Sequence, residues 1–330
     1  MPAKTSARPN GRRALLGMLI SAAALALVLA WVDVAALREA LHRASGAALA
    51  RAAGWFLLAM LARAWAWRAL LGPNVPLRDA FWALQIGFLA NNLLPFRLGE
   101  ALRVWVVHRT AGVSWGRGMA SVALSRMTDA LLLLVLALSL WPTQAGSPSL
   151  IRGLVGVTLG LMGIVLALVL APRWGARWLR RWPRVWAEVQ AAAALVTPRG
   201  LTIFVLGKIL TWALLALYYQ ALLADFAPGL AWPDVLWAMS VSTLGIAIPS
   251  APGYVGVYEA AAVAALTALG VPRATALAFA LVQHALYLAL TVALGILALA
   301  RLGWSWEHWR AAWRAVQTPH PTSSSGGGQS

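Results

Sequence analysis

The sequence predicts an all-α, polytopic helical membrane protein with about six full crossings plus two re-entrant, broken-helix hairpins in an inverted repeat. Three observations predict it. The 330-residue chain is 61% hydrophobic and only 11% charged, where a soluble domain carries about a quarter charged residues. Apolar runs at about 14–32, 52–72, 115–141, 151–171, 200–223 and 273–300 each reach the length of roughly 20 residues that crosses a bilayer. Between them, segments 80–112 and 233–270 each hold two shorter apolar arms around a broken centre. An arm of about 15 residues spans only about 23 Å at 1.5 Å per residue, short of a hydrocarbon core of about 30 Å. The runs are continuous rather than alternating, which excludes a transmembrane β-barrel.

The formal net charge of +17 does not point to nucleic acid. The arginines cluster at the ends of apolar runs, where the positive-inside rule places them. There is no cysteine, so disulfides and thiolate metal sites are excluded, and the five histidines are scattered. No metal and no cofactor are expected. The phosphate-binding pattern G-x-x-x-x-G-K-[ST] is absent, so no ATP-driven step is expected.

The elements follow in order. Residues 1–13 carry Lys4, Arg8, Arg12 and Arg13, a basic cytoplasmic N-terminus. The run that follows is longer than a signal-peptide core and reads as a retained first crossing. Residues 14–301 form a single membrane domain. Segment 33–51 carries both signs and reads as a surface helix outside. Run 52–72 returns, with Arg63 and Arg68 snorkelling at its cytoplasmic end. Run 115–141 leaves again, since Arg109 and Arg117 precede it, and 151–171 comes back. Segment 173–199 interleaves Arg173, Arg177, Arg180, Arg181 and Arg184 with Trp174, Trp178, Trp182 and Trp186. That reads as an interfacial helix on anionic inner-leaflet lipid. Run 200–223 exits toward Asp225 and Asp234, and run 273–300 ends inside at Arg301. Residues 302–330 add an interfacial helix bearing Trp306, Trp309 and Trp313, then a low-complexity tail expected to be disordered. The expected location is the bacterial inner membrane, multi-pass, with both termini cytoplasmic.

The parity of these crossings makes each broken segment begin and end on one side, 80–112 in the cytoplasm and 233–270 outside. Repeat 1 is about 52–141 and repeat 2 about 200–300, running in opposite directions, a construction common among secondary transporters. Two short full crossings per segment would keep the same parity. The centres are alike: Pro95, Gly99 and Glu100 parallel Pro249, Gly253 and Glu259. Proline and glycine free backbone groups that lipid cannot satisfy, and Asn91 and Asn92 can bond some of them. The second arm begins near Leu98, so Glu100 falls in a first turn, at the positive dipole end.

Arg97, Glu100 and Arg103 stand at i, i+3 and i+6. A charge at the bilayer centre costs about 2.5–3.5 kcal/mol on the insertion scale, so such a trio implies a polar interior. Arg126 and Asp129 at i, i+3 offer a partner set or a neutralised structural pair. Lys208, Glu259, Gln283 and His284 complete the polar residues at depth, although Lys208 can also snorkel and His284 can be a satisfied interior histidine. Near Pro252, Gly253 and Gly256 let backbone approach a ligand, while Tyr254 and Tyr258 offer hydroxyls.

At these residues the chain resembles the lysylphosphatidylglycerol synthase transmembrane-region family, the flippase-like proteins, over roughly residues 14–300. Asn92, Pro95, Arg97, Gly99, Glu100 and Arg103 match its first motif. Arg126 and Asp129 match its arginine–aspartate pair, and Pro249, Pro252, Gly253, Gly256 and Glu259 match the third. The resemblance implies a membrane region that moves an aminoacylated phospholipid between leaflets. A separate soluble domain makes that lipid, and none is expected in this chain, so no enzymatic activity is expected.

The expected function is therefore lipid translocation through a polar cavity at the broken helices. Its rivals are a membrane-bound enzyme on lipid-linked substrates and a non-transporting scaffold of envelope synthesis. The motif residues, with Tyr254, Tyr258 and His284, are the expected translocation site. The expected partners are anionic inner-leaflet lipid, a phospholipid or lipid-linked cargo, and a second copy or a lipid-synthesis protein; nucleic acid is not expected.

Overall fold

A computed structural model describes residues 34–94, 98–141, 197–247 and 251–303. The crossings expected at 14–32 and 151–171, segment 173–196 and the tail from 304 lie outside the described residues. Every regular element among the described residues is helical.

A short helix, α1 (Val34–Leu41), precedes α2 (Gly46–Leu71). The long helix begins earlier than the expected residue 52 because Ser45 supplies a cap, its Oγ accepting from Ala48 N at 3.1 Å. The following Ala-Ala-Leu-Ala-Arg consists of strong helix formers. The surface helix expected over 33–51 is accordingly reduced to α1. Then come α3 (Leu77–Leu93), α4 (Gly99–Ala111) and α5 (Trp115–Ser139), the last capped by Ser114. Helix α6 (Pro198–Phe226) starts at a Thr197 cap with proline at its first position, as the fixed φ of proline favours. After it stand α7 (Trp232–Gly245), a 3-10 turn (Pro252–Tyr254), α8 (Val257–Ala268) and α9 (Arg273–Arg301).

Among the described residues, α2, α5, α6 and α9 are the helices long and apolar enough to cross a membrane. The protein is thus a multi-pass membrane protein. The helices between them have 17, 13, 14 and 12 residues. The order long, short, short, long therefore occurs twice. The packing follows the same order: α2 lies along α6, α3 pairs with α4 and α7 with α8, and α9 lies on α3 as α5 lies on α7.

Large apolar side chains such as Leu57, Leu61, Leu138, Leu206, Ile209 and Leu210 face outward, as a lipid-facing surface requires. Inside, small residues let backbones approach, since lipid gives helices no hydrophobic reason to associate. A Cβ on Gly99 would run into the Gly87 carbonyl oxygen, and one on Gly245 into Ala261 Cβ. Gly99→Ala is therefore expected to lower stability by about 1–3 kcal/mol through overpacking. Thermal unfolding of the detergent-solubilised protein checks it against Gly54→Ala, where nothing stands within 4 Å.

Candidate functional site

The site is built at the two chain breaks. Where α3 gives way to α4, the chain frees backbone donors that a helix start cannot satisfy alone. Asn91 takes one of them, its Oδ1 accepting from Gly99 N at 3.0 Å, while its Nδ2 donates to Glu100 Oε1 at 3.2 Å. Glu100 lies in the first turn of α4, as expected. Its Oε1 also accepts from Arg126 of α5, and its Oε2 lies 2.5 Å from Arg103 Nη2. Asn91→Ala is expected to cost about 1–3 kcal/mol, because it leaves a buried N–H unpaired. Thermal unfolding in detergent reads this loss.

A second cluster ties α5 to α6. Asp129 Oδ1 accepts from Lys208 Nζ and from Trp212 Nε1, both at 2.8 Å, and Lys208 also donates to Ser125 Oγ at 2.8 Å. Lys208 is only 1% exposed, so it is an interior ion-pair partner and does not snorkel. Arg126 and Asp129 do not pair with each other; each finds its partner on a neighbouring helix. Their i, i+3 spacing allows a mutual pair, but α4 brings Glu100 to Arg126 and α6 brings Lys208 to Asp129.

At the second break, Gly253, Tyr254 and Gly256 have φ of 72°, 60° and 86°. A tyrosine in the left-handed region is strained and persists only where its surroundings hold it. Glu259 fixes the start of α8: its Oε2 accepts from Gly256 N at 2.6 Å. Its Oε1 lies 2.6 Å from His284 Nδ1. This tip stands against the end of α3, with Asn92 O 3.6 Å from where a Cβ on Gly253 would be. Asn92 itself donates to Thr291 Oγ1 of α9 at 2.8 Å.

Between the breaks lies one cavity of about 390 Å³, a size typical of small-molecule sites. Asn91, Glu100, Arg126 and Asp129 line it from the first unit, and Tyr254, Tyr258, Gln283 and His284 from the second. The chain has five tyrosines, and Tyr218, Tyr219, Tyr254, Tyr258 and Tyr287 all line this wall.

Arg63 of α2 joins them. Its guanidinium lies 5.8 Å from the Phe88 ring and 5.6 Å from the Trp212 ring, and it forms no ion pair among the described residues. Glu100, Arg126, Asp129, Tyr254, Tyr258 and His284 were expected in a site and line the cavity. Asn92, Gly99, Arg103, Pro252, Gly253, Gly256 and Glu259 stand around it. Arg103 is turned away, 4.9 Å over the Trp67 ring. Pro95, Arg97 and Pro249 lie outside the described residues.

The sequence reading had placed Arg63 at the membrane surface and had not singled out Tyr218, Tyr219 or Tyr287. A signal existed for Arg63. It stands eight residues before the last residue of α2, Leu71, about 12 Å along the helix, deeper than a terminal anchor. The tyrosines also carried one, since they sit inside apolar spans and not in the interfacial belts where Tyr concentrates.

The family model for the lysylphosphatidylglycerol synthase TM region matches residues 14–295. The chain belongs to this family. The match spans both hairpin units and every residue of the cavity. Membership agrees with a lipid-related role in a membrane. Comparison with curated proteins and with solved structures returned no match.

Proposed function

We propose that the protein translocates an anionic, phosphate-bearing lipid headgroup between leaflets through this cavity. The observation that carries the reading is a single hollow shared by both broken units, with more fixed positive than negative charge around it. Arg63, Arg103, Arg126 and Lys208 stand against Glu100 and Asp129, while Glu259 is engaged by His284. Charged groups at membrane depth are costly and usually mark a pathway.

In this proposal the two units form an inverted repeat of re-entrant hairpins entering from opposite faces of the inner membrane, with cytoplasmic termini. The short helices cannot span the hydrocarbon core, and the tips meet at Asn92 and Gly253. A headgroup leaving the interface exchanges its water shell for Arg63 and Arg126. Its acyl tails stay in lipid, since the cavity volume suits a headgroup alone. The left-handed turn at 253–256 lets the second hairpin tilt and alternate the opening. No ATP is consumed; a gradient or mass action drives net flow. Glu100 and Asp129 are tied into ion pairs, which favours a binding role over that of a catalytic base.

Leaflet exchange in liposomes tests the reading. The protein is expected to accelerate dithionite-accessible exchange of a fluorescent anionic phospholipid over protein-free vesicles. An unchanged rate would leave only the scaffold role. The topology has its own test, because the chain has no native cysteine. Cysteines at Ala80 and Gly112 are expected to label with impermeant reagents from one side. A Leu94 cysteine reached solely from the other side would mean full crossings instead of re-entrant arms.

A further inference from the structure

We infer that the cavity selects phosphate headgroups bearing neutral hydroxyls, such as glycerol, inositol or a sugar, over headgroups bearing an ammonium. This rests on the reading of the cavity as a headgroup site and names the cargo class.

Three wall residues carry a polar atom with no hydrogen-bond partner among the described residues: Tyr258 Oη, Gln283 Oε1 and His284 Nε2. Tyr258, Gln283 and His284 are 5%, 8% and 4% exposed. Buried polar atoms are nearly always paired, so a set of orphans in one cavity wall points to a ligand that pairs them. Their chemistry is specific. Gln283 Oε1 only accepts. The short His284 Nδ1 contact to the Glu259 carboxylate assigns the proton to Nδ1, which leaves Nε2 of the neutral ring as an acceptor. Tyr258 Oη gives or takes. The set therefore calls for a ligand rich in donors, which means hydroxyls or an amine.

Charge decides between them. An ammonium needs a spare carboxylate, and none of the three is spare. Glu100 is held by Arg126, Arg103 and Asn91, and Asp129 Oδ1 by Lys208 and Trp212. Glu259 is held by His284 and Gly256 N. A sphere of 390 Å³ is about 9 Å across, within a Debye length, so charges inside it act on each other almost unscreened. Arg63 and Arg126 then attract a phosphate and repel an ammonium. The tyrosine rings could hold an ammonium by cation–π attraction, but an aromatic face serves the C–H faces of a polyol equally well and meets no repulsion there.

Titration calorimetry on detergent-solubilised protein tests this with dihexanoyl probes carrying glycerol, inositol or ethanolamine headgroups and with a short isoprenyl phosphoryl hexose. Hydroxyl-bearing probes are expected to bind at least 10-fold tighter than the ethanolamine probe. Tyr258→Phe and Gln283→Leu are each expected to shrink that ratio by about 3- to 10-fold. Both remove only unpartnered buried atoms, so folding should survive. A preference for the isoprenyl hexose assigns the hydroxyls to a lipid-linked sugar, and a preference for glycerol or inositol to a glycerophospholipid.

Ethanolamine binding as tight as glycerol, or a ratio unmoved in both variants, overturns the inference. Leaflet exchange that runs equally fast for both headgroups overturns it too, and leaves translocation standing. No binding and no exchange with any probe removes both.

Discussion

Lys208→Met is expected to cost about 3–5 kcal/mol, enough to leave much of the protein aggregated on extraction. Removing one member of a buried ion pair strands the other charge without compensation. Here the stranded group is Asp129, 7% exposed, which would keep only the Trp212 N–H as a donor. Lys208 also donates to Ser125 Oγ and to Ser125 O, so α6 would lose three bonds to α5 in a single change. The partner variant tests the cause. Lys208→Met combined with Asp129→Leu is expected to recover most of the loss, because replacing both members of a buried pair by apolar groups is often near neutral. Thermal unfolding of the three proteins in one detergent gives the cycle. A double variant as unstable as the single one would mean that lysine packing matters and the charge does not.

This pair also shows where the sequence stopped being informative. The long spans were legible because length and hydropathy alone define them, and their starts fell at Ser114, Thr197 and Pro272, residues that open helices. The break at Asn91–Gly99 was legible because its side chains answer a local need: a helix start wants an acceptor, and Asn91 supplies it. Partners on other helices were not legible. Helices α2 and α6 are apolar nearly all round, so periodicity does not say which side meets a neighbour. Lys208 therefore looked free to reach the surface, and Arg126 and Asp129 looked like partners of each other. The tertiary arrangement decided both, through Glu100 arriving from α4 and Lys208 from α6.

Arg63 is the sharpest instance, and the variant that follows from it bears most directly on function. On the proposed reading, Arg63→Ala is expected to slow exchange of an anionic lipid about 10- to 100-fold, the loss of a charge-assisted hydrogen bond worth about 1.5–3 kcal/mol. Thermal stability should change far less, since Arg63 forms no ion pair among the described residues and only lies between the Phe88 and Trp212 rings. Arg63→Lys keeps the charge but gives up the planar fork and its stacking, so it is expected to recover only part of the rate. A snorkelling anchor would behave in the opposite way. Lysine snorkels as well as arginine, so Arg63→Lys would then be silent, and Arg63→Ala would alter insertion or yield without altering the rate per folded molecule. Initial exchange rates in liposomes, normalised to folded protein, separate the two roles. An Arg63→Ala protein that exchanges anionic lipid at the wild-type rate would remove the phosphate from the cavity and, with it, the reason for a cation at that depth.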